Sequence, residues 1–360
     1  MKYKYPKILL AFTMISSIFV TGHTVYAKPK PLTIQEQGSF AIGGSVIETP
    51  GTFDPSNLVA PAGQTLHGDH AYVFYQIPMK PKKYPLVFLH GAGQFSKTWE
   101  TTPDGREGFQ NIFLRKGYST YLVDQPRRGG AGRGTVGMEV KPNTDEQMWF
   151  SIFRLGQWPD FYPGVQFPKD QESLNQYFRQ MTPNTGPYDS KVISDSMSAL
   201  FTKTGDGILV THSQGGGPGW ETAMKNQNVK AVVSYEPGLF IFPEGEVPQP
   251  IPGNSPFDPL KAAGVPMSEF MKLTRIPIVL YYGDNIPETV SENPGKDNWR
   301  TRLTMAKQWT EVVNKYGGDV TLVHLPEIGI KGNTHFPFSD LNNAEIADLL
   351  ESWLKEKGLN

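Results

Sequence analysis

Short apolar runs alternate with helically spaced apolar residues from about residue 70 to the end of the chain. Strand-sized runs occupy Ala71–Ile77, Leu86–Leu89, Ser119–Val123, Gly207–Thr211, Lys230–Tyr235, Pro277–Tyr282 and Val320–His324. Several are almost wholly apolar, as strands must be when helices cover both faces of their sheet. Between them, Val192, Ile193, Met197, Leu200 and Phe201 recur at helical intervals, as do Leu303, Ala306, Val312, Val313 and Tyr316. The same spacing relates Leu341, Ile346, Leu349, Leu350, Trp353 and Leu354, so each set marks the buried face of a helix. This alternation predicts an α/β fold, a mostly parallel sheet with helices on both faces. Ahead of it, Gly38–Glu48 predicts an N-terminal hairpin turning on Gly43-Gly44, where glycine supplies the positive φ of a tight turn.

Two stretches break the pattern. Residues 135–187 carry many aromatics among prolines, and residues 237–268 are again rich in Pro and Gly. Long irregular segments inside a compact domain serve as lids or binding loops, so both are expected as cap insertions over the C-terminal edge of the sheet. Trp149, Phe153 and Trp158 are candidate substrate contacts there, although packing on the core is the plainer role for any one of them. No internal repeat or low-complexity tract appears, and residues 28–360 are expected to form a single domain.

Charge and composition narrow the chemistry. The 360 residues hold 34 Lys and Arg against 35 Asp and Glu, a formal net charge of −1. That leaves no basic face for phosphate neutralisation, so nucleic acid is not an expected partner. With Cys at 0, thiol nucleophiles, thiolate metal sites and disulfides are excluded. No His-Glu-x-x-His pattern or acidic calcium loop points to a metal. Gly130, Gly132 and Gly134 lack dinucleotide-binding spacing, so no cofactor is expected either. Arg127, Arg128 and Arg133 of that same turn are expected to be solvated or near a cleft. At the N-terminus, Lys2, Lys4 and Lys7 precede an uncharged run from Ile8 to Val20 and a small-residue exit at Val25-x-Ala27. This is the order of a secretory signal peptide over residues 1–27, with an apolar run too short to span a bilayer. The mature chain is expected to be secreted or periplasmic, without stable membrane insertion.

The most informative run is Gly207-Ile-Leu-Val-Thr-His-Ser-Gln-Gly-Gly-Gly-Pro-Gly-Trp220, an apolar strand turning into a helix at Ser213. A serine on such an elbow is strained and exposed at the sheet edge, and small neighbours let the turn pack. The match to Gly-x-Ser-x-Gly is partial, because Thr211 replaces the first glycine while Gly215 keeps the second. An earlier strand ends in Leu89-His90-Gly91-Ala92-Gly93, a glycine-rich turn able to bring backbone N–H groups close to a developing oxyanion. Ala92 and Gln214 are the expected donors, and His90 is expected to pack and hydrogen-bond. His335, on the loop after the last strand, is the candidate general base. His324 and His212 are expected to serve structure, His212 pointing away from the nucleophile. Two carboxylates compete to orient His335. Glu236 follows the strand next to the one carrying Ser213; Asp284 follows a later strand, where the usual acid position is occupied by Ile286 and an aspartate after Gly283 more often caps the turn.

With these motifs in place the chain resembles the α/β-hydrolase superfamily over roughly residues 70–357. More closely, it resembles a branch of secreted bacterial esterases marked by Gly38-Ser39-Phe40, Thr102-Pro103-Asp104-Gly105-Arg106 and His212-Ser213-Gln214-Gly215. The resemblance implies an α/β-hydrolase fold and a glutamate acid after the strand that follows the nucleophile, which maps onto Glu236. Arg106, in the second of those runs, is a further candidate substrate contact. The expected activity is that of a serine carboxylesterase acting through an acyl-enzyme on a small-molecule ester with an apolar or aromatic group. The same machinery would serve an amidase, a lactonase or a polyester hydrolase. A silent binding protein with an apolar pocket is the alternative of another class, separated by turnover of simple esters.

Overall fold

The strand-sized runs assemble into one eight-stranded sheet in the computed structural model, which describes residues 30–360. In chain order the strands are β1 Ile34–Glu48, β2 Thr65–Pro78, β3 Leu86–Leu89, β4 Thr120–Asp124, β5 Gly207–His212, β6 Val229–Tyr235, β7 Pro277–Tyr282 and β8 Asp319–His324. Across the sheet they run β1-β2-β4-β3-β5-β6-β7-β8. The pairings of β2 with β1 and with β4 are antiparallel, and those from β4 to β8 are parallel. The helices are α1 Phe109–Arg115, α2 Glu146–Ile152, α3 Gln171–Arg179, α4 Ser190–Thr204, α5 Gly216–Lys225, α6 Met267–Phe270, α7 Pro294–Lys315 and α8 Asn343–Glu356.

Strand pleating divides the core in two. Val87 and Leu89 of β3 face a cluster with Met197 and Leu200 of α4, Trp220 of α5 and Trp309 of α7. Leu86 and Phe88 face the opposite cluster, with Phe109 and Phe113 of α1 and Leu350 and Leu354 of α8. Successive side chains pointing to opposite faces explain why these central strands read as continuously apolar in the sequence. Leu32–Asn360 forms one compact unit, whereas the signal peptide expected over residues 1–27 lies outside the described residues. No helix among the described residues is long and apolar enough to cross a membrane.

The N-terminal hairpin expected at Gly43-Gly44 is a misreading. β1 continues through both glycines and pairs with β2, Gly43 lying opposite His70 and Ser45 opposite Gly68. Both glycines have positive φ, at 69° and 85°. A Cβ on Gly43 would stand 2.6 Å from the Ser196 hydroxyl oxygen of α4, and one on Gly44 would stand 2.6 Å from the Gly68 carbonyl. The pair therefore kinks a long strand where a helix and its neighbour strand crowd it.

The two irregular segments border the C-terminal ends of the parallel strands and also feed the core. Phe150, Phe153, Phe167 and Tyr177 of the first are buried beside the sheet. Phe240 of the second packs on Trp220 and Trp309.

Candidate active site

At the end of β5 the chain passes through a short turn, Ser213–Gly215, into α5. Ser213 has φ of 53°, in the left-handed region that costs a non-glycine residue about 1 to 3 kcal/mol. The glycines around it make room for the elbow. A Cβ on Gly215 would lie 2.6 Å from the His90 carbonyl oxygen, and one on Gly216 would lie 2.8 Å from Pro237 Cβ. One on Gly219 would lie 2.7 Å from Thr211 Cγ2, so Gly219 accommodates the threonine that stands where a glycine is usual. The Thr211 hydroxyl is hydrogen-bonded to that of Ser234 on β6 at 2.7 Å.

Glu236, at the tip of β6, faces the loop after β8 that carries His335. Its Oε2 accepts from His335 Nδ1 at 2.5 Å, and its Oε1 accepts from the Gly283 N–H at 2.6 Å. Arg154 grips the same carboxylate with both terminal nitrogens, Nη1 donating to Oε2 at 3.0 Å and Nη2 to Oε1, while its Nε donates to the Asp284 carbonyl at 2.7 Å. Glu236, Arg154 and His335 are all sealed from solvent. Burial alone would raise the Glu236 carboxyl, yet Arg154 and His335 together hold it at about 2. Burial pushes the His335 imidazolium down to about 4 against the opposing pull of Glu236.

The imidazole is held on every side. Trp299 packs on it at 4.0 Å between ring centroids, Phe153 stacks at 4.9 Å and 16°, and His212 lies at 4.4 Å. The His335 N–H donates to the Phe153 carbonyl, and its carbonyl bonds His212 Nε2 at 3.0 Å. With Nδ1 donating to Glu236, the neutral ring keeps Nε2 as an acceptor. That nitrogen is buried and has no hydrogen-bond partner among the described residues. The neighbouring loop is pinned by Asp340, which accepts from the Thr334 N–H at 2.7 Å and from Asn333 Nδ2 at 3.0 Å.

Asp284 does not meet His335. Its Oδ2 accepts from the Gly332 N–H at 2.7 Å and its Oδ1 from the Asn285 N–H at 2.6 Å, so it ties the turn after β7 to the His335 loop. The Ile286 position is buried and apolar.

Ser213 opens onto a cleft of about 350 Å³ whose wall includes Ala92, Trp149, Phe153, Gln214 and Trp299. A second lobe of about 730 Å³ shares Ala92, Trp149 and Gln214 and continues past Arg128 and Phe178. The glycine turn before Ala92 presses on the elbow: a Cβ on Gly91 would lie 2.7 Å from Ser213 Cβ. His90 lies beneath, its Nδ1 bonded to the Gly91 carbonyl at 3.0 Å and its Nε2 accepting from the Gln125 N–H at 3.2 Å. Arg128, expected to be solvated or near the cleft, is buried there as a clamp. It donates through Nη1 to the Gly91 carbonyl, through Nε to Asn184 Oδ1 and through Nη2 to Gln214 Oε1. Arg127 is buried on Asp69 at 2.7 Å.

The cleft thus gathers Ser213, Ala92, Gln214, Trp149 and Phe153 around the elbow. Phe153, only 3% exposed, is as much a support of His335 as a wall. Trp158 stays out: it lies in the turn between the paired residues Gln157 and Asp160, is 43% exposed and rests edge-on against Phe150. Arg106 is also absent from the wall. It is spent on Asp104 at 2.6 Å and on Asn343 at 2.8 Å, fastening the 102–106 turn to the start of α8. Arg154 was not foreseen, and its one signal is a lone cation in an otherwise aromatic stretch, Phe150-Ser-Ile-Phe-Arg154. Among the described residues, no group of three or more His, Asp or Glu is placed to hold a metal ion.

A fungal protein named "Probable secreted lipase phiG", from Fungal sp. (strain ATCC 74256), is 28% identical over 316 residues, covering 79% of this chain and 86% of its own. A solved structure of a bacterial esterase is 30% identical and superposes with a TM-score of 0.71, covering 92% of this chain and 98% of that one. The sequence profile of the alpha/beta hydrolase family matches residues 86–349. That span runs from β3 into α8 and takes in Gly91, Arg154, Ser213, Glu236 and His335; the chain belongs to the alpha/beta hydrolase family.

Proposed function

We propose that the protein is a secreted serine esterase in which Ser213 is the nucleophile, His335 the general base and Glu236 the acid that orients it. The observation that carries this reading is the unpartnered Nε2 of His335. An enclosed acceptor next to the strained His212-Ser213 elbow is what proton transfer from a hydroxyl needs. Ser213 passes its proton to that nitrogen as Oγ attacks the ester carbonyl carbon. The carbonyl oxygen takes up the negative charge, met by the backbone N–H groups of Ala92 and Gln214. As the C–O bond breaks, His335 returns the proton to the leaving alcohol. A water, deprotonated by the same nitrogen, then releases the acid and restores Ser213. The names of the fungal lipase and the bacterial esterase support ester hydrolysis, and the word "secreted" in the former accords with the signal-like residues 1–27.

Turnover of p-nitrophenyl esters of increasing chain length tests the reading. Hydrolysis that disappears in Ser213→Ala is expected; binding without turnover would leave a silent binding protein. Trp149, which lines both lobes, should set chain-length preference. Trp149→Ala is expected to raise KM on the preferred ester about tenfold, since about 60 Å² of lost apolar contact is worth roughly 1.5 kcal/mol. An unchanged preference would remove Trp149 from the binding wall.

A further inference from the structure

The lobe holding Ser213 is apolar over most of its wall, but two cations also line it, Arg302 of α7 and Lys261. Arg302 is 8% exposed. All the hydrogen bonds it makes leave from one nitrogen: Nη1 donates to the Asn298 carbonyl at 2.7 Å, to Thr301 Oγ1 at 3.0 Å and to Asp258 Oδ1 at 3.3 Å. Nε and Nη2 donate to nothing among the described residues. Of the other buried arginines, Arg300 leaves one nitrogen, Nη1, without an acceptor among the described residues and engages the other two. Arg127, Arg128 and Arg154 each engage all three nitrogens with protein acceptors. Asp258 is the ion-pair partner of Arg302, through Nη1 and Oδ1 at 3.3 Å, and the other oxygen of that carboxylate accepts from the Ser255 N–H at 3.1 Å, so no carboxylate oxygen reaches Nε or Nη2. Lys261 is exposed and has no ion-pair partner among the described residues.

A guanidinium buried at the wall of an otherwise apolar cleft, with Nε and Nη2 both unused, presents the parallel pair of donors that matches a carboxylate. Neither nitrogen is sealed from solvent, so both are open to an acceptor that enters the cleft, and a carboxylate there makes charge-assisted hydrogen bonds. We propose that the esterase reads its substrate through this pair: the ester it cleaves is small, has an apolar segment lying against Trp149, Phe153 and Trp299, and ends in a carboxylate held by Arg302 and drawn in by Lys261. Half-esters of dicarboxylic acids have this form. The lobe of about 350 Å³ that Arg302 lines is large enough for a short dicarboxylic acyl chain. This inference rests on the esterase reading above.

Chain-matched substrates test it. Mono-p-nitrophenyl adipate ends in a carboxylate, and p-nitrophenyl hexanoate does not. The anionic ester is expected to have the higher kcat/KM by about tenfold or more, the scale of a charge-assisted hydrogen bond, mainly through KM. Arg302→Leu should bring the ratio of the two close to one. Lys261→Gln, at an exposed position, should lower it by about two- to threefold and serves if Arg302→Leu does not fold. A wild-type ratio at or below one, or a ratio that neither variant moves, overturns the anion site while leaving the esterase intact. If neither ester is hydrolysed, the esterase reading fails, and calorimetry with hexanoate against the neutral hexanamide decides the site alone. Hexanoate binding that Lys261→Gln weakens upholds it, and no preference for hexanoate overturns it.

Discussion

Glu236→Gln should lower kcat on a simple ester by about four orders of magnitude, because a glutamine can neither fix the productive imidazole tautomer nor stabilise the imidazolium formed in each half-reaction. The structure adds a second consequence. The carboxylate is also the only anion paired with Arg154 among the described residues, and both side chains are sealed from solvent. Neutralising it strands a buried guanidinium, at a cost of about 3 to 5 kcal/mol. The variant should therefore melt well below the parent, and its kcat must be read at a temperature where it is still folded. Asp284→Asn is the control. Among the described residues its carboxylate serves only the backbone N–H groups of Gly332 and Asn285. It should keep most of the activity and lose about 1 kcal/mol of stability. Equal losses in the two variants would contradict the assignment of Glu236 as the acid.

Arg154→Leu should shift the acid limb of the kcat/KM profile to higher pH, the second large effect. Arg154 pulls down both the Glu236 carboxyl and the His335 imidazolium, and it does not line the substrate cleft. In the parent, His335 lies near 4 instead of its usual 6.5, so hydrolysis should persist well into acidic solution. Without the arginine both values rise, and the limb should climb by about a unit or more. The same two groups make stability pH-dependent. A His335 held neutral contributes stability that is complete above pH 6.5 and is lost as pH falls through about 4. Glu236 held ionised adds stability that is complete above 4.5 and is lost towards about 2. Acid should accordingly erode the parent's stability below about pH 6, whereas Arg154→Leu, less stable at neutral pH but with both values back near their usual ones, should lose less stability on acidification. A lower melting temperature with an unmoved pH profile would reduce Arg154 to a structural residue.

What was legible beforehand depended on whether the signal is local. Ser213 announces itself because an elbow needs a strand, a strained residue and a run of glycines in immediate succession, all within Gly207–Trp220. Glu236 was reachable by topology: the strand after the nucleophile strand is its neighbour, so the tip of β6 faces the same loop as Ser213, while Ile286 empties the alternative position. Arg154 was not legible, since its partner lies 82 residues away and no spacing rule joins them. Trp158 and Arg106 were misjudged for a related reason. Composition marked an aromatic segment and a motif, but only the fold decides which side chains turn inward. Gly43-Gly44 shows a real conformational requirement assigned to the wrong structure, since positive φ serves a strand kink as well as a turn.

The most direct test of the account is covalent labelling of the purified protein with a fluorophosphonate, followed by peptide mapping. A serine activated by an adjacent base reacts quickly, so one adduct on Ser213 is expected, with esterase activity lost in proportion and labelling much slower in His335→Ala. An adduct on another residue, or none in a protein that still hydrolyses esters, would contradict the assignment of Ser213 as the nucleophile.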